Sequence, residues 1–337
     1  MRSLLLAHRY LGVALGVLML MWCLSGVVMM YVTYPELSGP ARLRALEPID
    51  WSGCCIVGDD ALSDAERVPR FQVEMLAGVP VLRLGLPFGE SRLIDLVQGK
   101  VIRSISSAQA ASVAADYAQA GGHWDPPQLE GTIDYDEWTV SGEFDSDRPL
   151  FRFRIDDAKQ TELYVSSATG RVVQVTTAQE RFWNWLGAVP HWLYFAELRR
   201  DVSLWSRIVI YTSLAGSLLA ALGIYIGVLQ FLRRPAGRWS GQRGVMLWHH
   251  VPGLLFGLFA LTWVASGLLS MNPWGLLETA SAQPERRVLA GFLPSGRQVK
   301  ESLRALAAAA PTTGIVSVDS APLLGQLFLV ATDSDGA

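Results

Sequence analysis

The chain has 337 residues, 50% of them hydrophobic and only 18% charged, with a mean hydropathy of +0.27. Charged residues make up about 25% of ordinary soluble proteins, so a soluble globular domain of this size does not fit. The formal net charge of -3 argues against nucleic acid as a partner, which would ask for a basic surface.

Residues 1–34 hold the first predicted element, a membrane-spanning helix, because no formal charge lies between Arg9 and Glu36. Crossing about 30 Å of hydrocarbon at 1.5 Å per residue takes roughly 20 apolar residues. The run exceeds the roughly 7–15-residue core of a cleaved signal, and no A-x-A site follows promptly, so it reads as a retained anchor. Residues 35–178 are rich in Asp and Glu and alternate like strands, in two similar units. In the first, a strand over residues 79–86, a turn at 87–90 and a strand leading to Gly99 reverse into GKVI. In the second, a strand over 149–155, a polar turn at 156–160 and a strand leading to Gly170 reverse into GRVV. Between them SSAQAASVAADYAQA reads as a helix with Ser107 as its candidate cap.

Residues 179–203 form an aromatic interfacial segment, with Trp183, Trp185, Trp192, Tyr194 and Phe195 as a belt around His191. Residues 204–232 are the second spanning helix. The loop at 233–244 carries Arg233, Arg234, Arg238 and Arg243 with no acid, which makes it cytoplasmic, and Arg2 and Arg9 put the N-terminus on that side too. Arg199, Arg200 and Arg207 at the other end oppose this orientation, and the folded, exported character of the preceding segment outweighs them. Residues 245–273 are the third spanning helix. Residues 274–337 then lie outside as a partial third unit: a helix over 295–310, a break at 311–313, and a first strand over 323–336 reaching a turn. The chain is expected to continue beyond this point, with a fourth helix. Of the three cysteines, Cys54 and Cys55 are adjacent, which makes a structural disulfide between them an unfavourable ring.

The first and third helices carry one pattern. His8-Arg9-x-x-Gly12-x3-Gly16-x5-Trp22-x2-Ser25-Gly26 is matched by His249-His250-x-x-Gly253-x3-Gly257-x5-Trp263-x2-Ser266-Gly267. Both helices run outward, so His8 and His249 sit at matching depth. A spacing of four puts His8, Gly12 and Gly16 on one helix face, as it does His249, Gly253 and Gly257. A membrane haem asks for an axial imidazole and for missing side chains beside a flat macrocycle. Two plainer readings stay open: an interfacial histidine, and glycines that serve helix packing. His191 is an outer-side ligand or a member of the aromatic belt. His250 faces away from His249 and is a substitute or second ligand, and His123 is an exposed loop residue.

HRYLGVALG, LWHHVPGLLFG, ELYVSSATGRVV and ERFWNWLGAVPHWLYF together resemble the PepSY-associated transmembrane family of bacterial inner-membrane proteins. The resemblance covers nearly the whole chain and implies a membrane α-helical fold with three transmembrane helices, N-terminus inside, and periplasmic α+β PepSY-like repeats. It implies b-type haem, one or two, with His8 and His249 holding the inner iron and His191 one side of an outer one. It further implies a ferric-siderophore reductase, fed by quinol or a cytoplasmic reductant and acting on a periplasmic ferric chelate. Reduction of iron held by hard oxygen ligands loosens the chelate. The chain departs from the family in lacking the fourth helix, which leaves the second ligand of an outer haem unassigned. Two other classes stay open, a non-catalytic membrane-anchored PepSY binding or regulatory module, and a structural subunit of a transport complex.

Overall fold

The computed structural model describes residues 2–86, 91–236, 240–277, 288–309 and 314–336. The expected turn at 87–90, Arg238 of the basic loop and the break at 311–313 lie outside them. In chain order the first elements are α1 (Arg2–Met29), α2 (Gly39–Arg44), β1 (Arg70–Leu76), β2 (Val79–Gly85), β3 (Ser91–Asp95) and β4 (Lys100–Ile102). Next come α3 (Ser107–Ala120), β5 (Gln128–Ile133), β6 (Leu150–Arg154), β7 (Glu162–Ser166) and β8 (Val172–Thr176). The chain continues through α4 (Ala178–Leu186), α5 (Ala188–Trp192), α6 (Ala196–Arg199), α7 (Val202–Leu232) and α8 (Val245–Ser270). It closes with α9 (Gly296–Ala309), β9 (Ile315–Leu323) and β10 (Gln326–Asp333). Two compact units result: residues 1–33 with 183–280, and residues 34–182 with 281–337.

The first unit is helical. α1, α7 and α8 are each long and apolar enough to cross a membrane. They leave large apolar side chains such as Val13, Val17, Leu258 and Trp263 uncovered, an outer surface that suits lipid and not water. α7 packs against both α1 and α8, and small residues let the backbones close. A Cβ at Gly216 would lie 3.2 Å from Met19 Sδ and 3.3 Å from Val264 Cγ1, so the three helices converge there. Asp201 caps α7 by accepting from the Leu204 amide at 2.9 Å. The aromatic segment folds as short helices whose rings pack in tilted pairs, Trp192 with Tyr194 and Tyr194 with Trp205. The Arg199 guanidinium lies 4.3 Å from the Trp205 ring centre, which gives this last residue of α6 a local partner.

The second unit is α+β, with every strand pairing antiparallel. One sheet has the order β10-β9-β1-β2-β3-β4 and the other β5-β6-β7-β8, so each of the two similar sequence units lies in its own four-strand meander. Their turns match too: Gly99 and Gly170 both take φ +70°, the left-handed region that a Cβ makes costly. The tail is corrected in one respect. Residues 323–336 are not a first strand, because Leu324 and Gly325 form the turn of a β9–β10 hairpin that joins the first sheet along β1. The cap of α3 is Ser106, not Ser107, in a reciprocal capping box with Gln109. Cys54 and Cys55 are bonded to each other, contrary to expectation, across a cis peptide bond.

Strand alternation gives the first sheet two apolar faces. Phe71, Val73, Leu82 and Leu84 pack with Val299 and Leu303 of α9, while Val81 and Leu93 pack with Phe153, Leu163 and Val165 of the second sheet. Ala110, Ala114 and Ala118, spaced by four, bring α3 close to that second core. One buried charge interrupts the pattern. Glu74 on β1 is fully enclosed and meets three guanidiniums: Arg83 at 2.9 Å, Arg171 at 3.2 Å, and Arg42. Burial alone would push its carboxyl up, yet Arg171, Arg83 and Arg42 together hold it below the ordinary range.

Asp116 on α3 shows the opposite balance. Partial burial, then the charge and hydrogen bond of Glu47, push its carboxyl up to about 6. A raised folded pKa means the contribution is complete below the unfolded value and is lost as pH rises through the folded one. Stability is therefore expected to decline as pH rises between about 4 and 6, and Asp116→Asn to flatten that slope, measured by denaturation midpoints across this window.

Candidate functional site

α1 and α8 start at the same end of the helical unit, and α7 returns antiparallel between them. This places His8 and His249, both near the start of their helices, at one level with the last turns of α7. The two imidazole rings face each other with centroids 6.1 Å apart and planes tilted by 41°. The His8 ring lies over Gly223 of α7, where a Cβ would stand only 2.8 Å from its Cε1 atom. His8 Nδ1 is buried, and the ring lies within reach of the Leu219 carbonyl of α7. His249 is exposed on the bare helix surface.

The neighbouring histidine does different work. His250 is buried, with Nδ1 hydrogen-bonded to Ser240 Oγ and Nε2 3.0 Å from the Gly227 carbonyl. Both ring nitrogens are thus engaged, and His250 ties the loop before α8 to α7.

His191 meets the far end of α1. Ser25 lies seventeen residues after His8, about 26 Å along the helix. The His191 Nδ1 lies 3.1 Å from the Trp22 carbonyl and 3.1 Å from Ser25 Oγ, which itself donates to the Met21 carbonyl. A carbonyl can only accept, so Nδ1 carries the proton and donates, and the lone pair stays on Nε2. Burial lowers the pKa of the ring, against the opposing pull of the Trp22 carbonyl. A backbone acceptor on one nitrogen is the arrangement that orients a metal-binding histidine at the other. Gly26 makes the seat, since a Cβ there would lie 3.1 Å from His191 Cε1. Trp22 Nε1, one turn away, is buried without a partner.

The repeated glycines divide between two tasks. Gly12 lies near Leu219 and Gly257 against Ile224 of α7, as packing positions do, whereas Gly16 and Gly253 have nothing within 4 Å. Ser266 and Gly267, the counterparts of Ser25 and Gly26, receive no histidine; Ser266 only bonds within its own helix. The two helices share a pattern but meet different neighbours.

Among the described residues no group of three or more His, Cys, Asp or Glu could hold a bare metal ion. Haem asks less of a protein, because the macrocycle supplies the equatorial nitrogens and leaves two axial positions to fill. The residues present fit that demand: two imidazoles with ring centres 6.1 Å apart and open space at Gly16 and Gly253. His123, half-exposed in the α+β unit, lies 3.7 Å from Asp157. Gly223 was not foreseen from sequence. A glycine inside an apolar helix carries no mark, and its role appears only once α7 is known to run beside His8. Compared with known proteins, the chain matches no family model, no curated protein and no solved structure.

Proposed function

We propose that the chain is a b-type haem protein of the bacterial inner membrane that passes electrons across it to a ferric chelate, such as a ferric siderophore, on the periplasmic side. The observation that carries this reading is the His8–His249 pair, two imidazoles 6.1 Å apart on different apolar helices, His8 half-buried and His249 on the outer surface. Ionisable residues at such positions are costly and mark a pathway or a ligand site. When bound, haem would supply a reversible one-electron couple. His8 and His249 would hold its iron, and the apolar side chains of α1 and α8 would keep water away. Gly223 sets the His8 ring by leaving it room. His191, with its lone pair on Nε2, would serve an outer haem, and His250 would hold the fold of the site without ligating. The arginines at 233–243 would face the cytoplasm, where a quinol or a soluble reductant donates.

The function is tested in proteoliposomes. Purified protein is reconstituted around an entrapped ferric chelate, and a membrane-impermeant reductant is added outside. Reduction of the entrapped iron well above that in empty vesicles is expected; equal rates would reject transmembrane transfer. A second reading, a membrane-anchored binding module or a structural subunit of a transport complex, is favoured by one observation, the self-contained α+β unit with its own two cores. That reading expects a haem-free preparation and no transfer.

One variant separates ligand placement from ligand identity. Gly223→Val is expected to cut haem retention by tenfold or more although both histidines remain. Gly267→Val, with nothing within 4 Å, should leave it unchanged. Haem content per chain, by pyridine haemochrome, reads both.

A further inference from the structure

In the α+β unit a cavity of about 400 Å³ opens between the first sheet and the β7–β8 turn. Its walls carry five arginines, Arg70, Arg83, Arg92, Arg103 and Arg171, and among the described residues none that lines it is acidic. Some of these are neutralised from outside the cavity: Arg92 by Glu66 at 3.0 Å and Arg70 by Asp319 at 2.9 Å. Arg83 and Arg171, however, share the single carboxylate of Glu74 with Arg42. Arg103 is exposed and has no ion-pair partner among the described residues. The cavity therefore keeps an excess of positive charge, part of it in side chains largely removed from water, where Arg83 retains only 11% exposure. Excess buried charge is costly unless something pairs with it.

We propose that this cavity binds a small multivalent oxyanion, one that presents two or more carboxylate or phosphate groups. Guanidinium forks match both groups in charge and planar geometry, and the volume lies in the range of about 300–1,000 Å³ usual for small-molecule sites. Arg83 and Arg171 are held in place by Glu74, by the Thr169 carbonyl and by Gln72, so the base of the site is formed before a ligand arrives. Arg70 and Arg103, at the exposed rim, would close on the outer charges. The site stands whether or not the helices carry haem.

Isothermal titration of the full chain in detergent, at low salt, tests this with two probes, citrate and pyrophosphate. Saturable binding of one or both is expected, weakening as salt is raised. Heat from citrate alone assigns a carboxylate ligand, and heat from pyrophosphate alone a phosphate. Arg103→Gln and Arg70→Gln should each weaken binding about tenfold, with unchanged melting behaviour, while Arg154→Gln, outside the cavity, should not weaken it. No saturable binding of either probe would overturn the proposal. So would equal losses in Arg154→Gln and Arg103→Gln, which would mark mere surface charge.

Discussion

Glu74→Ala is expected to destabilise the α+β unit by about 3–5 kcal/mol, the usual cost of breaking a buried ion pair by removing one partner. The carboxylate is wholly enclosed, and Arg42, Arg83 and Arg171 converge on it. Without it, three guanidiniums remain close together with no counter-charge between them. Glu74→Gln keeps the volume and some hydrogen bonding but not the charge, so most of the loss should persist. Arg42→Met should cost much less, because Arg42 is partly exposed and the other two arginines still neutralise Glu74. The effect has a pH signature. The folded pKa of Glu74 lies below its ordinary value of 4.5, so its contribution is complete above that value and lost as pH falls through the folded pKa. Denaturation of the full chain followed by tryptophan fluorescence, with acid titration of wild type and Glu74→Gln, checks both statements. A Glu74→Gln variant as stable as wild type at pH 7 would contradict them.

The second large effect concerns the helices. His8→Ala and His249→Ala are each expected to lose the inner haem, and the double variant to lose nothing more. Two ligands of one iron act as a unit, so their effects are not additive. If the histidines were independent interfacial residues, each substitution would leave haem content alone. His250→Ala should keep the haem while loosening the loop before α8, because its two nitrogens already bind Ser240 and the Gly227 carbonyl. His191→Ala should spare the inner haem, lying about 26 Å away along α1. Haem content and α-band position across the four single variants and the double variant separate these outcomes.

The long helices were legible because crossing a bilayer forces an uncharged run of known length. The strand pairs of the two similar units were legible as well, since alternation and a glycine turn recur in both. Strand β1 was not read, as its burial on both faces hides the alternation that marks a half-exposed strand. The β9–β10 hairpin was misplaced because the apolar run at 323–330 continues across its own turn at Leu324–Gly325. At the site, matched spacing anticipated that the helix starts carrying His8 and His249 lie level, but spacing could not tell which of His249 and His250 turns toward His8. That distinction depends on Ser240 and Gly227, neither of which stands out in the chain. The charge cluster at Glu74 was equally hidden, because its arginines come from α2, β2 and the β7–β8 turn, far apart in sequence.

The central claim is that His8 and His249 hold one haem between them. A reduced-minus-oxidised absorption spectrum of the full chain, purified in detergent from haem-replete cells, tests it most directly. The account predicts a b-type α-band in the wild type that disappears in both His8→Ala and His249→Ala. A colourless wild-type preparation, or an α-band that survives either substitution, would contradict it.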